Sequence, residues 1–424
     1  MVYYGLLLYF VLEYVRPGSY VPALDVLHLN SIVPLTVVLG ALVGKGKVTV
    51  SEALSSMNGR WIMYFLALIV ISSLICDVKT YALDVFERVF GYWLIFLVLK
   101  KEVYDLDRIK GVFLTLAVVH LVIGVLNPDL FAGDGERHYI ASGAFLGDGN
   151  DFALSVNVAI PLCLFLMFEA QSVTKKVMYG VTVGFLILAV VATQSRGGIL
   201  ALASAGFYYW LKSERKILGV AGIAVVIVFI FALAPPQFFD RMGTMTQTGE
   251  EMEGSAQGRI LAWGASVRMV VDHPLLGVGV GHFPVKYGVD YRPEGYGPNE
   301  IPWQTAHSSY FLVLGELGIP GIIFLLGIII SNLMANRRTL LGVRPQLENS
   351  NGAGRSLVIA LNASLIAFMV GGAFLSGAYY PHIYLLAGLL ECGRDICKKG
   401  FDAEEEPEES EDGVSGLSRN ISMS

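Results

Sequence analysis

The chain alternates long apolar blocks with short polar breaks. Apolar blocks recur at 2–16, 29–44, 60–77, 83–99, 109–127, 151–169, 176–194, 197–212, 217–234, 308–333, 356–378 and 381–392. Most approach the roughly 20 residues that a helix needs to cross a bilayer. A lipid core satisfies no backbone N–H or C=O, so such blocks must close their hydrogen bonds internally, as helices. The pattern predicts an all-α polytopic membrane protein with about 12 transmembrane helices. The fourth block is interrupted by Glu87 and Arg88, and the last is short. The opening MVYYGLLLYFVLEYV has no basic lead and no small-residue cleavage site, so it reads as a retained first span.

The basic residues orient these spans. Lys45 and Lys47 follow the second, and Lys100, Lys101, Arg108 and Lys110 follow the fourth. Lys175 and Lys176 follow the sixth; Lys212, Arg215 and Lys216 follow the eighth. Arg337, Arg338, Arg344 and Arg355 follow the tenth, and Lys398 and Lys399 the twelfth. Alternating spans put all of them on one side, which makes that side cytoplasmic and both termini internal. Three connections then fall outside: 127–150, the corner at 194–198, and the long loop 235–306. A break of that length carries function more often than not, and short helices are expected in it. The integral domain is read as 1–397, and the acidic run DAEEEPEESED at 402–412 marks 398–424 as a disordered cytoplasmic tail.

Composition agrees with the pattern. Hydrophobic residues make up 54% and charged residues 16%, against about 25% charged in soluble domains. The net charge of −6 owes much to the tail, and no nucleic-acid partner is expected. Cys76, Cys163, Cys392 and Cys397 are scattered, with neither a zinc nor a redox spacing, and act as small apolar residues. No cluster of acidic or histidine ligands suggests a metal; Asp148, Asp151 and His138 come nearest. No metal or cofactor is expected.

Four pieces of sequence converge on the outer side. In TQSRGG, Arg196 stands at a membrane boundary beside Ser195, Gly197 and Gly198. A snorkelling arginine is the bland account; an arginine beside free amides at a glycine corner is an anion receptor. In GSAQGRILAW, Ser255 can cap a short helix that holds Arg259, Trp263 and Val267 at helical spacing, and Glu250, Glu251 and Glu253 could simply pair with its arginine. In DHPLLGVGVGHF, the glycines at 277, 279 and 281 resemble a phosphate cradle, although a flexible loop at the membrane surface accounts for them as well. His307 opens HSSYFLVLGELGIPG at the mouth of an apolar span. If that segment is helical, Gly318 lies three turns on along the same face. Pro320 beside Gly318 and Gly321 would kink the helix, and Glu316 must face protein or water. Trp263, Tyr287, Tyr291, Tyr296 and Trp303 could stack on sugars, or pack the loop onto the membrane. An imidazole can take a proton from a hydroxyl, and arginines can hold a diphosphate leaving group.

These residues match a known pattern. His307–Ser308, nine residues, then GIPG at 318–321 resembles the motif of the O-antigen ligase superfamily. SRGG at 195–198 and the Arg259 helix are similar to its other signatures. GDGNDFALSVNVAIPL at 147–162 is similar to the O-glycosylation ligases associated with exosortases. The resemblance is close over about 150–330. It implies a membrane glycosyltransferase that moves a glycan from undecaprenyl diphosphate to an acceptor hydroxyl on the periplasmic side of the bacterial inner membrane, with neither metal nor nucleotide. The acceptor would be a lipid A core sugar, a protein or another glycan. Arg196 and Arg259 would hold the diphosphate and His307 would act on the acceptor hydroxyl. Ser195, Gly197, Gly279, Trp263, Gly318 and Gly321 would bind substrate. The family's ligase pattern has leucine where this chain has Trp263, which leaves a lipid-linked glycan polymerase as the alternative. A transporter is a third reading.

Overall fold

Each apolar block is helical in the computed structural model, which describes residues 1–44, 48–132, 139–213, 216–233, 239, 243, 254–293, 297, 303–342 and 352–405. The longer helices are α1 (Val2–Val15), α2 (Leu29–Val43), α3 (Met57–Ser73), α4 (Lys79–Glu102), α5 (Leu106–Leu126), α6 (Gly149–Glu169) and α7 (Val173–Ala192). They continue as α8 (Arg196–Lys212), α9 (Lys216–Leu233), α10 (Gly254–Asp272), α11 (Phe283–Val289), α12 (Ser309–Gly342), α13 (Gly352–Gly372) and α14 (Pro381–Glu405). No strand occurs among the described residues. Among the described residues, six helical segments are long and apolar enough to cross a membrane: Pro22–Val43, Leu106–Leu126, Gly149–Glu169, Val173–Ala192, Ser309–Gly342 and Ala353–Gly372.

α6 is the central post. Nearly every residue over 149–166 is buried, and the helix packs against α5, α7, α8 and α13. Asp148 starts it, its carboxylate accepting from the Asn150 amide at 2.9 Å. α13 packs against α6, α8 and α14, while α12 packs against α3 and α10.

Polar residues inside this bundle pair with one another. Arg394 donates to Asn332 and Asn336 at 2.9 and 2.7 Å, and Asn336 donates to Asn362 at 2.7 Å. Lys100 lies 2.6 Å from Asp395 and 3.4 Å from Glu391. Lys101 donates to the carbonyls of Ala41 and Gly44 at the end of α2. Both lysines sit in the last turn of α4, where a helix dipole favours cations, and not in the following loop.

Three expectations change. The stretch read as a loop with short helices contains α10, a helix of 19 residues. α14 runs on to Glu405, past the predicted start of a disordered tail at 398. α12 breaks at Gly318, with φ 67° and ψ −161°, as its Gly-Ile-Pro-Gly run predicts, but the expected shared face does not form. His307 precedes the helix with φ 48°, so it does not share a helical face with Gly318. Lys45, Lys47, His138, Arg215, Glu250, Glu251, Glu253, Tyr296, Arg344 and the tail beyond 405 lie outside the described residues.

Candidate active site

The corner at 194–198 is built by a capped helix start. Gln194 turns the chain with φ 50°, and the Ser195 hydroxyl accepts from the Gly198 amide at 3.1 Å. Gly197 and Gly198 are glycines because neighbours crowd them. A Cβ on Gly197 would stand 2.9 Å from Cβ of Phe374, and one on Gly198 2.8 Å from Cβ of Ala153. From inside α6, the buried Asn157 donates to the Gly198 carbonyl at 2.9 Å. The first turn of α8, with half-buried Arg196, is thereby pressed between α6 and the turn after α13.

That corner opens onto a narrow recess. Ser195, Gly197 and Gly198 form one wall and Arg259, from α10, joins them. Asn150, Leu154, Gly371, Phe374 and Leu375 complete the lining. Two arginine-bearing segments that are far apart in sequence therefore meet at one helix N-terminus, whose backbone N–H groups and dipole favour an anion.

His307 is held to this assembly through its neighbours. Trp263 donates from its indole N–H to the Ala306 carbonyl at 3.0 Å, and its ring stacks on Phe311 at 5.1 Å and 13°. Gln304 donates to the Gly258 carbonyl at 3.0 Å, next to Arg259. On the other side, Thr305 and Ser376 share a hydrogen bond of 2.9 Å. Ser309 donates to the Leu375 carbonyl at 2.8 Å and accepts from the Gly377 amide at 3.0 Å. The turn after α13 thus touches the recess and the histidine segment alike.

Other expected site residues lie elsewhere. Gly318 sits at the break of α12 and Gly321 just past it, roughly 14 and 18 Å along the helix from its start at Ser309, which follows His307 by two residues. Gly279 packs against Cys76, and its amide donates to the Glu316 carbonyl at 3.2 Å. The amides of the glycine run are committed to protein: Val278 donates to the Gly315 carbonyl at 2.9 Å, Val280 to the Ser72 hydroxyl at 3.1 Å and Phe283 to the Glu316 carboxylate at 2.9 Å. The run is a plug seated in the kink of α12, neither a phosphate cradle nor a flexible surface loop. Trp263 spends its N–H on Ala306 and one face on Phe311. Asp148 caps α6, and Asp151 accepts from Tyr380 at 3.3 Å. Asn150, Asn157 and Phe374 were missed; the one signal was a lone asparagine in an apolar span, which is costly unless it has a partner.

Residues 181–326 match the family described as O-antigen ligase. The chain carries an O-antigen ligase family domain. The match runs from within α7 into α12 and takes in Arg196, Arg259 and His307. Over those residues the chain is similar to the O-antigen ligase/polymerase-like membrane glycosyltransferases, and its long apolar helices suit a multi-pass membrane protein. No curated protein matches the chain.

Proposed function

We propose that the chain transfers a glycan from undecaprenyl diphosphate to an acceptor hydroxyl at the periplasmic face of the bacterial inner membrane. The observation that carries this is the meeting of Arg259 with the Ser195–Gly198 corner in one recess. Arg196 and Arg259, with the amides at the start of α8, hold the diphosphate and neutralise the charge that grows as it leaves. His307 accepts the proton of the acceptor hydroxyl. The acceptor oxygen bonds to the anomeric carbon, the bond from that carbon to the diphosphate oxygen breaks, and undecaprenyl diphosphate departs with the electron pair. Every reacting group is supplied by side chains and amides, so neither metal nor nucleotide enters the scheme.

The topology belongs to the same proposal. The helices that fall short of a full apolar span cross with the others, which keeps the basic breaks cytoplasmic and turns the 194–198 corner, α10 and His307 outward. The O-antigen ligase domain favours transfer over transport. A polymerase would use the same recess with a second lipid-linked chain as acceptor.

The test is a strain lacking the protein, complemented with wild type, His307→Ala or Arg259→Ala, with glycans separated on gels. The ligase reading expects full-length carrier-linked chains and no attached glycan in the deletion strain and in both variants, with the variants inserted at wild-type levels. Single repeat units in place of full-length chains assign the polymerase. Full attachment by both variants overturns the mechanism.

A further inference from the structure

The contacts of Trp263 do more than pack α10. Arg259 and Trp263 are four residues apart and therefore on one face of that helix. Along this face the helix reads the histidine segment at four points. Gly258 accepts from Gln304, Trp263 donates to Ala306 and stacks on Phe311, and the Ser266 hydroxyl donates to the Phe311 carbonyl at 2.5 Å. Two of these bonds flank the backbone at His307, which has a φ of 48°. A non-glycine residue holds that left-handed conformation only where its surroundings over-determine it. The surroundings here are α10 on one side and, on the other, the 375–377 turn that bonds Thr305 and Ser309.

We infer that Trp263 is a positioning residue: its N–H···O bond to Ala306 locks the His307 backbone in register with Arg259, one helical turn away, and so fixes the acceptor-side base relative to the donor-side cation. The inference rests on the transfer reading above. It reassigns Trp263 from a sugar platform to a strut, and it gives the tryptophan a use that leucine, the residue of the family's ligase pattern, cannot supply, since leucine has no donor. Phenylalanine is the discriminating replacement, because it keeps an aromatic ring on Phe311 while losing the N–H together with the five-membered ring that carries it.

The experiment uses the full-length protein in vesicles, with donor and acceptor lipids extracted from the deletion strain. For Trp263→Phe the expected result is a kcat about tenfold lower, with donor KM within twofold of wild type and a melting temperature only a few degrees lower, the scale of one lost part-buried hydrogen bond. Gln304→Leu cuts the second bond without touching the stack and is expected to lower kcat several-fold in the same way. Wild-type kcat in both variants overturns the inference. So does a fall in activity that tracks only the loss of folded protein, which is what a purely structural tryptophan gives. His307→Ala is the control on the reading beneath: an active His307→Ala removes the proposed base, whereas an inactive His307→Ala with fully active Trp263→Phe and Gln304→Leu removes only the strut.

Discussion

Gly318 has no room for a side chain and a backbone that few other residues adopt. A Cβ there would stand 2.5 Å from the Pro274 carbonyl oxygen, at a φ of 67°. Gly318→Ala is expected to cost about 2–4 kcal/mol, read as a lower melting temperature in detergent, with transfer lost only in proportion to unfolded protein. The motif glycine is thus a structural residue of the break, while the motif histidine stands at the other end of the same half-helix. Arg259 behaves differently. Replaced by lysine, it keeps its charge but loses the planar fork proposed to grip two phosphate oxygens, so on that proposal Arg259→Lys should fold normally and lose about ten- to a hundredfold in transfer. Arg196, Arg259 and His307, the residues of the proposed mechanism, were conspicuous in the sequence because a charged or titratable side chain at a membrane boundary is rare. Asn150 and Phe374 were not, because a recess wall is defined by what folds against it.

The element that resisted sequence reading most was the glycine run with Glu316. Three groups converge on that buried carboxylate: the amides of Gly281 and Phe283, and the Tyr379 hydroxyl at 2.8 Å. Phe283 and Tyr379 lie 33 and 63 positions away from Glu316, and Val280 reaches Ser72 across 208, so local spacing carries no trace of these bonds. A run of G-x-G reads as loose until its acceptors are known. Glu316→Ala would leave those donors buried without an acceptor, at a cost of about 3 kcal/mol or more, and hydrogen exchange over 277–289 should accelerate. α11 is held at its other side by Lys286, which lies 2.9 Å from Asp77 and 3.1 Å from Asp290. The hydrogen bond from Lys286 draws Asp77 below the ordinary carboxylate range, and the Asp77 bond raises Lys286. Asp77 therefore favours the docked state above its unfolded pKa and loses that contribution as pH falls through its lowered value. Lys286 does the converse, its contribution being present below its unfolded pKa and lost as pH rises through the raised one. The protection factor over 283–289, exchange corrected for its intrinsic pH dependence, should be flat across neutral pH, fall at both extremes, and fall with salt because the pair reaches solvent.

At the scale of the whole molecule, helix positions were legible and their crossing less so. Every apolar block became a helix, yet α1 has 14 residues and α3 and α8 have 17, short of a full span, and α4 carries Asp84, Glu87 and Arg88. Length and composition cannot decide such helices, because neighbours in a bundle cover what lipid would reject. Single cysteines in a cysteine-free chain decide the sidedness. Val289→Cys is expected to react with a membrane-impermeant maleimide in intact cells, and Gln171→Cys only after permeabilisation. The central claim concerns chemistry: one recess holds the leaving diphosphate while His307 takes the acceptor's proton. Its most direct measurement is release of undecaprenyl diphosphate by the purified protein in vesicles holding donor and acceptor. Wild type should release one molecule for each glycan transferred, and His307→Ala and Arg259→Ala, equally well folded, should release almost none. Stoichiometric release and transfer by both variants would contradict the account.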